Sequence, residues 1–362
     1  MRILFDLGHP AHVHFFKHVI RNLELKGHKI KICVRERESI VKTLLESYGY
    51  AYENLERNTP GLLNKAVTMI KNDIRLLKIS QKFDPDIYVS MTSPYSSQVS
   101  KLRGKPSIVF TDSEPTGLIL SLTLPFTDAV ITPINFKKDL GKKHVRISGF
   151  KESAYLHPNW FRPDPGVLDL LGVSKEEKYT LLRFNAFDAS HDIGIKGFSI
   201  DDKKRLAREL EEYSRVFISS EITLPADLED YAIKIPPQKM HDVLYYASLL
   251  VGDTQTSTTE AAYLGTPAVR CNSFVGPDDM SNFVELEQTY GLIFNFADPD
   301  EAIEKSIELI QRPDIKQEWA VKREKLLQDK IDVTAFMTWF IENYPESRET
   351  MINNPHYQER FR

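Results

Sequence analysis

The stretch from Leu249 to Val269 constrains the fold of this chain more than any other. Leu249-Leu250-Val251 is an apolar, strand-type run that ends at Gly252-Asp253. The small polar residues Thr254-Gln255-Thr256-Ser257-Thr258-Thr259 then open a helix that carries Glu260. Gly265 closes the helix and Pro267 starts the next strand, giving a strand-helix-strand unit. A helix that begins straight after a strand presents unpaired N–H groups and a positive dipole end, which attract phosphate. Glu260 follows one to two turns later, where a carboxylate can hold a pair of sugar hydroxyls. Thr and Ser at such a turn also make ordinary N-caps with no ligand, so the residues alone leave both readings open.

The chain has 362 residues, which favours two domains over one core. With 41% apolar and 27% charged residues it has an ordinary globular composition, and a formal charge of -4 gives no reason to expect nucleic acid. No apolar run reaches the roughly 18–20 residues of a membrane span. Met1-Arg2-Ile3-Leu4-Phe5-Asp6 starts a strand at once, so no signal peptide is expected and the expected location is the cytoplasm, with its membrane face allowed. Cys33 and Cys271 each lie in an expected strand and read as small buried residues of a reduced protein.

Strands alternate with helices in both halves, the pattern of parallel sheets covered on both faces. The first half reads as strands near Ile3–Leu7, Ile30–Val34, Asp86–Ser90, Ser107–Thr111, Ala129–Thr132 and Val145–Ser148. A proline-rich stretch through Pro158, Pro163 and Pro165 follows and reads as a linker. The second half restarts at Tyr179–Phe184, with strands at Val216–Ser219, Ala232–Ile235 and the Leu249 unit, and closes with helices near 298–311 and 313–328. The expected domains are 1–160, 161–332 and a C-terminal helix and tail, 333–362, that can cross back onto the first. The fold class is α/β, with two Rossmann-like, doubly wound domains facing across a cleft.

Ligands in such sheets sit beyond the carboxyl ends of the strands. The first strand ends in Leu7-Gly8-His9-Pro10-Ala11-His12, so Gly8, His9 and His12 are candidates there, with His12 placed to accept a proton. His14 and His18 stand at helical spacing for a metal, but no acid or cysteine joins them, and they read as helix-face residues. Asp112 and Glu114 follow the strand at Ser107 and are candidate bases or acceptor contacts, or else a plain polar turn. Ser93 occupies the equivalent place after Ser90. In the second half Arg183 ends a strand, where a guanidinium suits a diphosphate, though a surface ion pair is as common. Ser220, Glu221 and Lys239 line the same expected edge, with His191, Lys196 and Gly197 on the loop after Arg183. Asp84-Pro85-Asp86 resembles a metal-binding Asp-x-Asp but precedes a strand and is read as a turn, so no metal or cofactor is expected. The helix 62–82 interleaves apolar residues with Lys65, Lys71, Arg75, Lys78 and Lys82; packing on a sheet is favoured there over resting on a membrane.

Gly8-His9-Pro10-Ala11-His12, with a helix running to Lys26-Gly27-His28, resembles the N-terminal domain of GT-B enzymes, above all the N-acetylglucosaminyltransferase that makes lipid II. Gly252 to Val269 is similar to the UDP-sugar motif of that enzyme and of the UDP-N-acetylglucosamine 2-epimerases, whose Asp-Ser-Gly-Gly…Glu-Ala stands here as Asp253-Thr254-Gln255-Thr256…Glu260-Ala261. The resemblance implies that Thr254, Gln255 and Thr256 contact phosphate, that Glu260 binds ribose and that His12 is the transferase's loop histidine. Nearly the whole chain resembles an archaeal and bacterial family of predicted glycosyltransferases with no assigned reaction. Two departures stand out. Gln255 and Thr256 replace a glycine pair, and Phe110-Thr111-Asp112-Ser113-Glu114 replaces the epimerases' His-Val-Glu-Ala-Gly.

The expected activity is metal-independent transfer of a sugar from a nucleotide-diphosphate donor, UDP-linked by resemblance, to a saccharide or lipid-linked acceptor. His12 is the expected base, assisted by Asp112 or Glu114. The alternatives are a 2-epimerase and a nucleotide-sugar-binding protein without catalysis.

Overall fold

The computed structural model describes residues 1–35, 39–55, 62–115, 117–185, 197–220, 223–277 and 279–362. The chain divides into two compact units, Met1–Trp160 with Lys330–Arg362, and Phe161–Asp329. Among the described residues unit 1 holds seven strands: β1 (Arg2–Leu7), β2 (Lys29–Arg35), β3 (Tyr52–Leu55), β4 (Ile87–Met91), β5 (Ser107–Phe110), β6 (Ala129–Pro133) and β7 (His144–Ile147). All pair in parallel, in the order β3-β2-β1-β4-β5-β6-β7. Unit 2 holds β8 (Tyr179–Phe184), β9 (Arg215–Ser220), β10 (Leu249–Gly252), β11 (Ala268–Cys271) and β12 (Ile293–Phe296). These are also parallel, in the order β12-β11-β10-β8-β9.

The central strands are near-continuous apolar runs because helices cover both of their faces; β4, β5, β10 and β11 are buried at every residue. In unit 1 the helix Pro10–Leu25 brings Phe15 to 4.4 Å from Phe110 and Phe16 to 5.2 Å from Phe5, ring centre to ring centre. The chain returns to this unit at Lys330. Ile331 N–H donates to the Ser148 carbonyl at 2.8 Å, and the helix Val333–Glu342 packs on Pro10–Leu25 and Ser153–Leu156. Asp332 starts that helix by accepting from Ala335 N–H at 2.9 Å and also accepts from the Trp160 indole at 2.7 Å.

Some expectations change. Ala232–Ile235 is not a strand; a single bridge joins Ile218 and Ala232, and Pro236-Pro237, which lack N–H donors, stop the ladder. β3 and β12 lie at sheet edges and were not expected; β3, Tyr52-Glu53-Asn54-Leu55, carries little apolar sequence, and β12 is a run of only four residues. Among the described residues no helix is long and apolar enough to cross a membrane.

The strand order reverses direction between β1 and β4 in unit 1, and between β8 and β10 in unit 2. The carboxyl ends of those strands are where a doubly wound sheet offers a ligand site.

Candidate functional site

In unit 2 the turn after β10 is built around Asp253. Its N–H donates to the Arg183 carbonyl at 3.2 Å, its Oδ1 accepts from Asn185 N–H at 2.7 Å, and its carbonyl accepts from Asn272 Nδ2 at 3.0 Å. Gly252 pairs with Arg183 so closely that a Cβ there would stand 2.2 Å from the Arg183 carbonyl oxygen. Gly197 is packed against the Asp253 carboxylate in the same way; a Cβ would fall 2.3 Å from Oδ2. Ties to β8, to the segment after β11 and to Gly197 therefore fix this turn in place.

The helix Gln255–Leu264 follows, with Thr254 as N-cap, yet Thr254 makes no side-chain capping bond. Its hydroxyl is buried and has no hydrogen-bond partner among the described residues, in a residue only 7% exposed. A buried hydroxyl left unpaired costs about 1–3 kcal/mol unless something else meets it. Two hydroxyls further along are committed inside the helix: Thr258 donates to the Thr254 carbonyl at 2.7 Å, and Thr259 to the Thr256 carbonyl at 2.9 Å. Gln255 and Thr256 are half-buried in the first turn.

Glu260 is buried in the same helix, and His241 Nε2 lies 3.0 Å from its Oε1. His241 belongs to the helix Met240–Tyr246, and the Phe161 ring meets it edge-on. Arg183 directs Nη1 to the Ser219 hydroxyl at 2.9 Å, so β8 and β9 share this contact beside the Asp253 turn. Ser220 ends β9, half-buried. Lys239 is drawn instead to Asp164 at 2.5 Å and Asp242 at 3.8 Å, a pairing that raises its pKa chiefly through the Asp164 hydrogen bond. Glu221, His191 and Lys196 lie outside the described residues.

In unit 1 Gly8 N–H donates to His12 Nδ1 at 3.1 Å. His9 caps its helix by accepting from Ala11 N–H at 3.1 Å, and its ring centre is 5.8 Å from that of His12. Burial holds the His12 pKa well below the usual histidine value, with smaller contributions from His9, Arg35 and Lys151. His12 is therefore neutral at pH 7. Because Nδ1 accepts from Gly8, its proton resides on Nε2. In this tautomer Nε2 is a donor while the Gly8 bond stands.

Asp112 lies 3.0 Å from Lys151, which also approaches Glu152 at 3.6 Å. Glu114 accepts from Lys137 N–H at 3.2 Å, so it serves the turn at 136–138. Ser93 donates its hydroxyl to Asp6, which is fully buried and also accepts from Arg35 Nε at 3.1 Å. Thr92, just before Ser93, holds φ at 41°, an outlier for a β-branched residue and one located at the β1–β4 switch. His14 stacks on Tyr155 at 5.6 Å and His18 on Trp160 at 5.4 Å. Among the described residues no group of three or more His, Cys, Asp or Glu is arranged to hold a metal ion.

The structure thus groups Thr254, Gln255, Thr256 and Glu260 in unit 2, with Arg183 on the adjoining strand. In unit 1 it groups Gly8, His9, His12 and Ser93, with Asp112 linked through Lys151. Sequence reasoning missed Asp6, Arg35, Lys151, His241 and Asn272. Arg35 was findable, since it ends a strand, but Arg35-Glu36-Arg37-Glu38 reads as a solvated charge run.

A family model described as "Protein of unknown function (DUF354)" matches residues 1–333. An uncharacterised protein of Methanocaldococcus jannaschii is 24% identical over 276 residues, 74% of this chain and 80% of its own. A UDP-GlcNAc 2-epimerase from Neisseria meningitidis, solved bound to UDP-GlcNAc, superposes with a TM-score of 0.67 at 12% identity, over 98% of this chain and 100% of the other. A glycosyltransferase of Streptomyces sp. SF2575, complexed with thymidine diphosphate, gives 0.61 at 12% identity, over 93% and 99%. At such identities the likeness establishes the fold, which is that of GT-B glycosyltransferases.

Proposed function

This chain belongs to the DUF354 family, and on that premise we propose that it is a glycosyltransferase using a nucleotide-diphosphate sugar, UDP-linked by preference. The observation that carries this reading is the uncapped N-terminus of the helix Gln255–Leu264, where the Thr254 hydroxyl is buried without a partner among the described residues. A diphosphate seated there accepts from that hydroxyl and from the first-turn N–H groups, and meets roughly half a positive charge from the helix dipole. Glu260, oriented by His241, takes the ribose hydroxyls. Arg183, beside the turn, offsets the charge that develops as the sugar–phosphate bond breaks. The ligands named for the two solved neighbours, UDP-GlcNAc and thymidine diphosphate, support a nucleotide at this fold.

Unit 1 binds the acceptor. Asp112 takes the acceptor hydroxyl's proton, since His12 presents N–H and Glu114 is engaged by a turn. In-line attack then expels the nucleoside diphosphate and inverts the anomeric carbon. A lipid-linked acceptor is favoured by the helix Leu62–Phe83, which leaves Ile70 and Ile74 58% and 50% exposed beside the exposed Lys71, Arg75 and Lys78.

The test is a thermal-shift screen of nucleoside diphosphates. A true donor nucleotide at 100 times its dissociation constant stabilises by about 2.7 kcal/mol. Thr254→Val, which keeps the shape and removes the hydroxyl, is expected to bind on the order of tenfold more weakly. No stabilisation by any nucleoside diphosphate would end the reading. The 2-epimerase is retained as the second reading because its superposition is the better of the two. It is distinguished by product formation from UDP-GlcNAc with no acceptor present.

A further inference from the structure

Arg35 is the last residue of β2, beside the carboxyl end of β1. Its Nε donates to Asp6 Oδ1 at 3.1 Å, while the other Asp6 oxygen accepts from Ser93. The inner edge of the guanidinium is therefore fixed to a fully buried carboxylate whose oxygens are both in use. The Tyr95 ring lies 4.5 Å from the guanidinium carbon and holds its plane. On the outer edge, Nη1 and Nη2 have no hydrogen-bond partner among the described residues, and the side chain is 17% exposed, so solvent reaches it.

Gly8 lies against the Nη2 end of that edge, beside Nη2, Cζ and Nε. A Cβ on Gly8 would stand 3.0 Å from Nη2, and its φ is not in the left-handed region, so the glycine serves space more than conformation. Gly8 also donates its N–H to His12 Nδ1, which leaves the His12 proton on Nε2, an atom with no partner among the described residues. Nη2 of Arg35 and the His12 ring thus both adjoin Gly8. Burial and Asp6 push the Asp73 carboxyl up to about 6 against the opposing pull of Arg35, and among the described residues Asp73 forms no ion pair with Arg35. A neutral sugar face offers donors as well as acceptors, whereas an oxyanion offers acceptors only, as this edge demands.

We propose that this edge of unit 1 is an oxyanion site, where a phosphate or carboxylate of the acceptor takes two parallel hydrogen bonds from Arg35 and a third from His12 Nε2–H. Calling that ligand the acceptor rests on the transferase reading; the anion site itself does not.

The test titrates inorganic phosphate, and separately acetate, into the full-length protein first saturated with UDP, which occupies the diphosphate seat of unit 2. Binding that persists under UDP and weakens at least tenfold in Arg35→Gln is the expected result. Arg35→Lys, which keeps the charge without the fork, is expected to fall between. Gly8→Ala crowds Nη2 most, at 3.0 Å, and meets Nε only at ordinary contact, 3.7 Å; it keeps Arg35 and Asp6 and should weaken the same binding, which guards against a misfolded Arg35 variant. Stronger binding of phosphate points to a phosphorylated acceptor, and stronger binding of acetate to an acidic sugar; either supports the site. Binding wholly displaced by UDP, or equal in wild type and Arg35→Gln, overturns it. Phosphate binding without binding of UDP or of any other nucleoside diphosphate would support the anion site and remove the transferase reading.

Discussion

At the scale of single residues, Glu260 and His241 share one buried hydrogen bond of 3.0 Å, so a change in either alters the other's geometry. Glu260→Gln is expected to lower affinity for UDP about tenfold while sparing affinity for 2′-deoxyribonucleotides, since the carboxylate acts on ribose. His241→Phe should do the same more weakly, and calorimetry on both nucleotides decides. Equal losses for ribo- and deoxyribonucleotides would place Glu260 elsewhere. His18 gives a pH signature. Burial lowers its pKa from 6.5 to about 4, with Lys17 adding to the effect, and its Nε2 is buried without a partner among the described residues. Between those values the unfolded chain binds a proton that the folded chain does not, so stability is present above pH 6.5 and is lost as pH falls towards 4. His18→Phe keeps the stack on Trp160 and should flatten that loss in urea melts at pH 5 against pH 7. Thr254 and Glu260 were legible as site residues because they stand on a long, strongly patterned segment. His241 and Lys151 were not, because each acts through a partner distant in sequence.

At the scale of elements, close strand pairing is what aims the diphosphate turn. Gly252→Ala has no room beside the Arg183 carbonyl and should cost about 2–3 kcal/mol in chemical denaturation, by forcing β8 and β10 apart. The helix Leu62–Phe83 buries Thr68, Asn72, Leu76 and Ser80 on one side while leaving Ile70 and Ile74 outside. If that outer stripe meets membrane, Ile70→Ser with Ile74→Ser should reduce flotation with anionic vesicles severalfold and leave UDP affinity unchanged. Unchanged flotation would remove the lipid-surface reading. Most strands were legible because fully buried parallel strands are plain apolar runs between turn residues. β3, with sequence Tyr52-Glu53-Asn54-Leu55, was not, since an edge strand gains its identity from pairing with β2 and not from its own apolar content.

At the scale of the molecule, the chain folds as two parallel-sheet units, the first completed by the residues from Lys330 onward. Gly149 leaves room for Val333, whose Cγ2 would lie 2.5 Å from any Cβ there, so the return is packed tightly. Alternation of strands and helices made the two-sheet architecture legible, and the strand order followed only from the structure. The orientation of His12 was beyond sequence, because one backbone N–H at Gly8 decides which ring nitrogen carries the proton. The most direct measurement is a crystal structure with UDP. The diphosphate is expected within hydrogen-bond distance of Thr254 and the first-turn N–H groups, with the ribose hydroxyls on Glu260. A nucleotide bound away from the helix Gln255–Leu264, with the Thr254 hydroxyl still unpaired, would contradict the account.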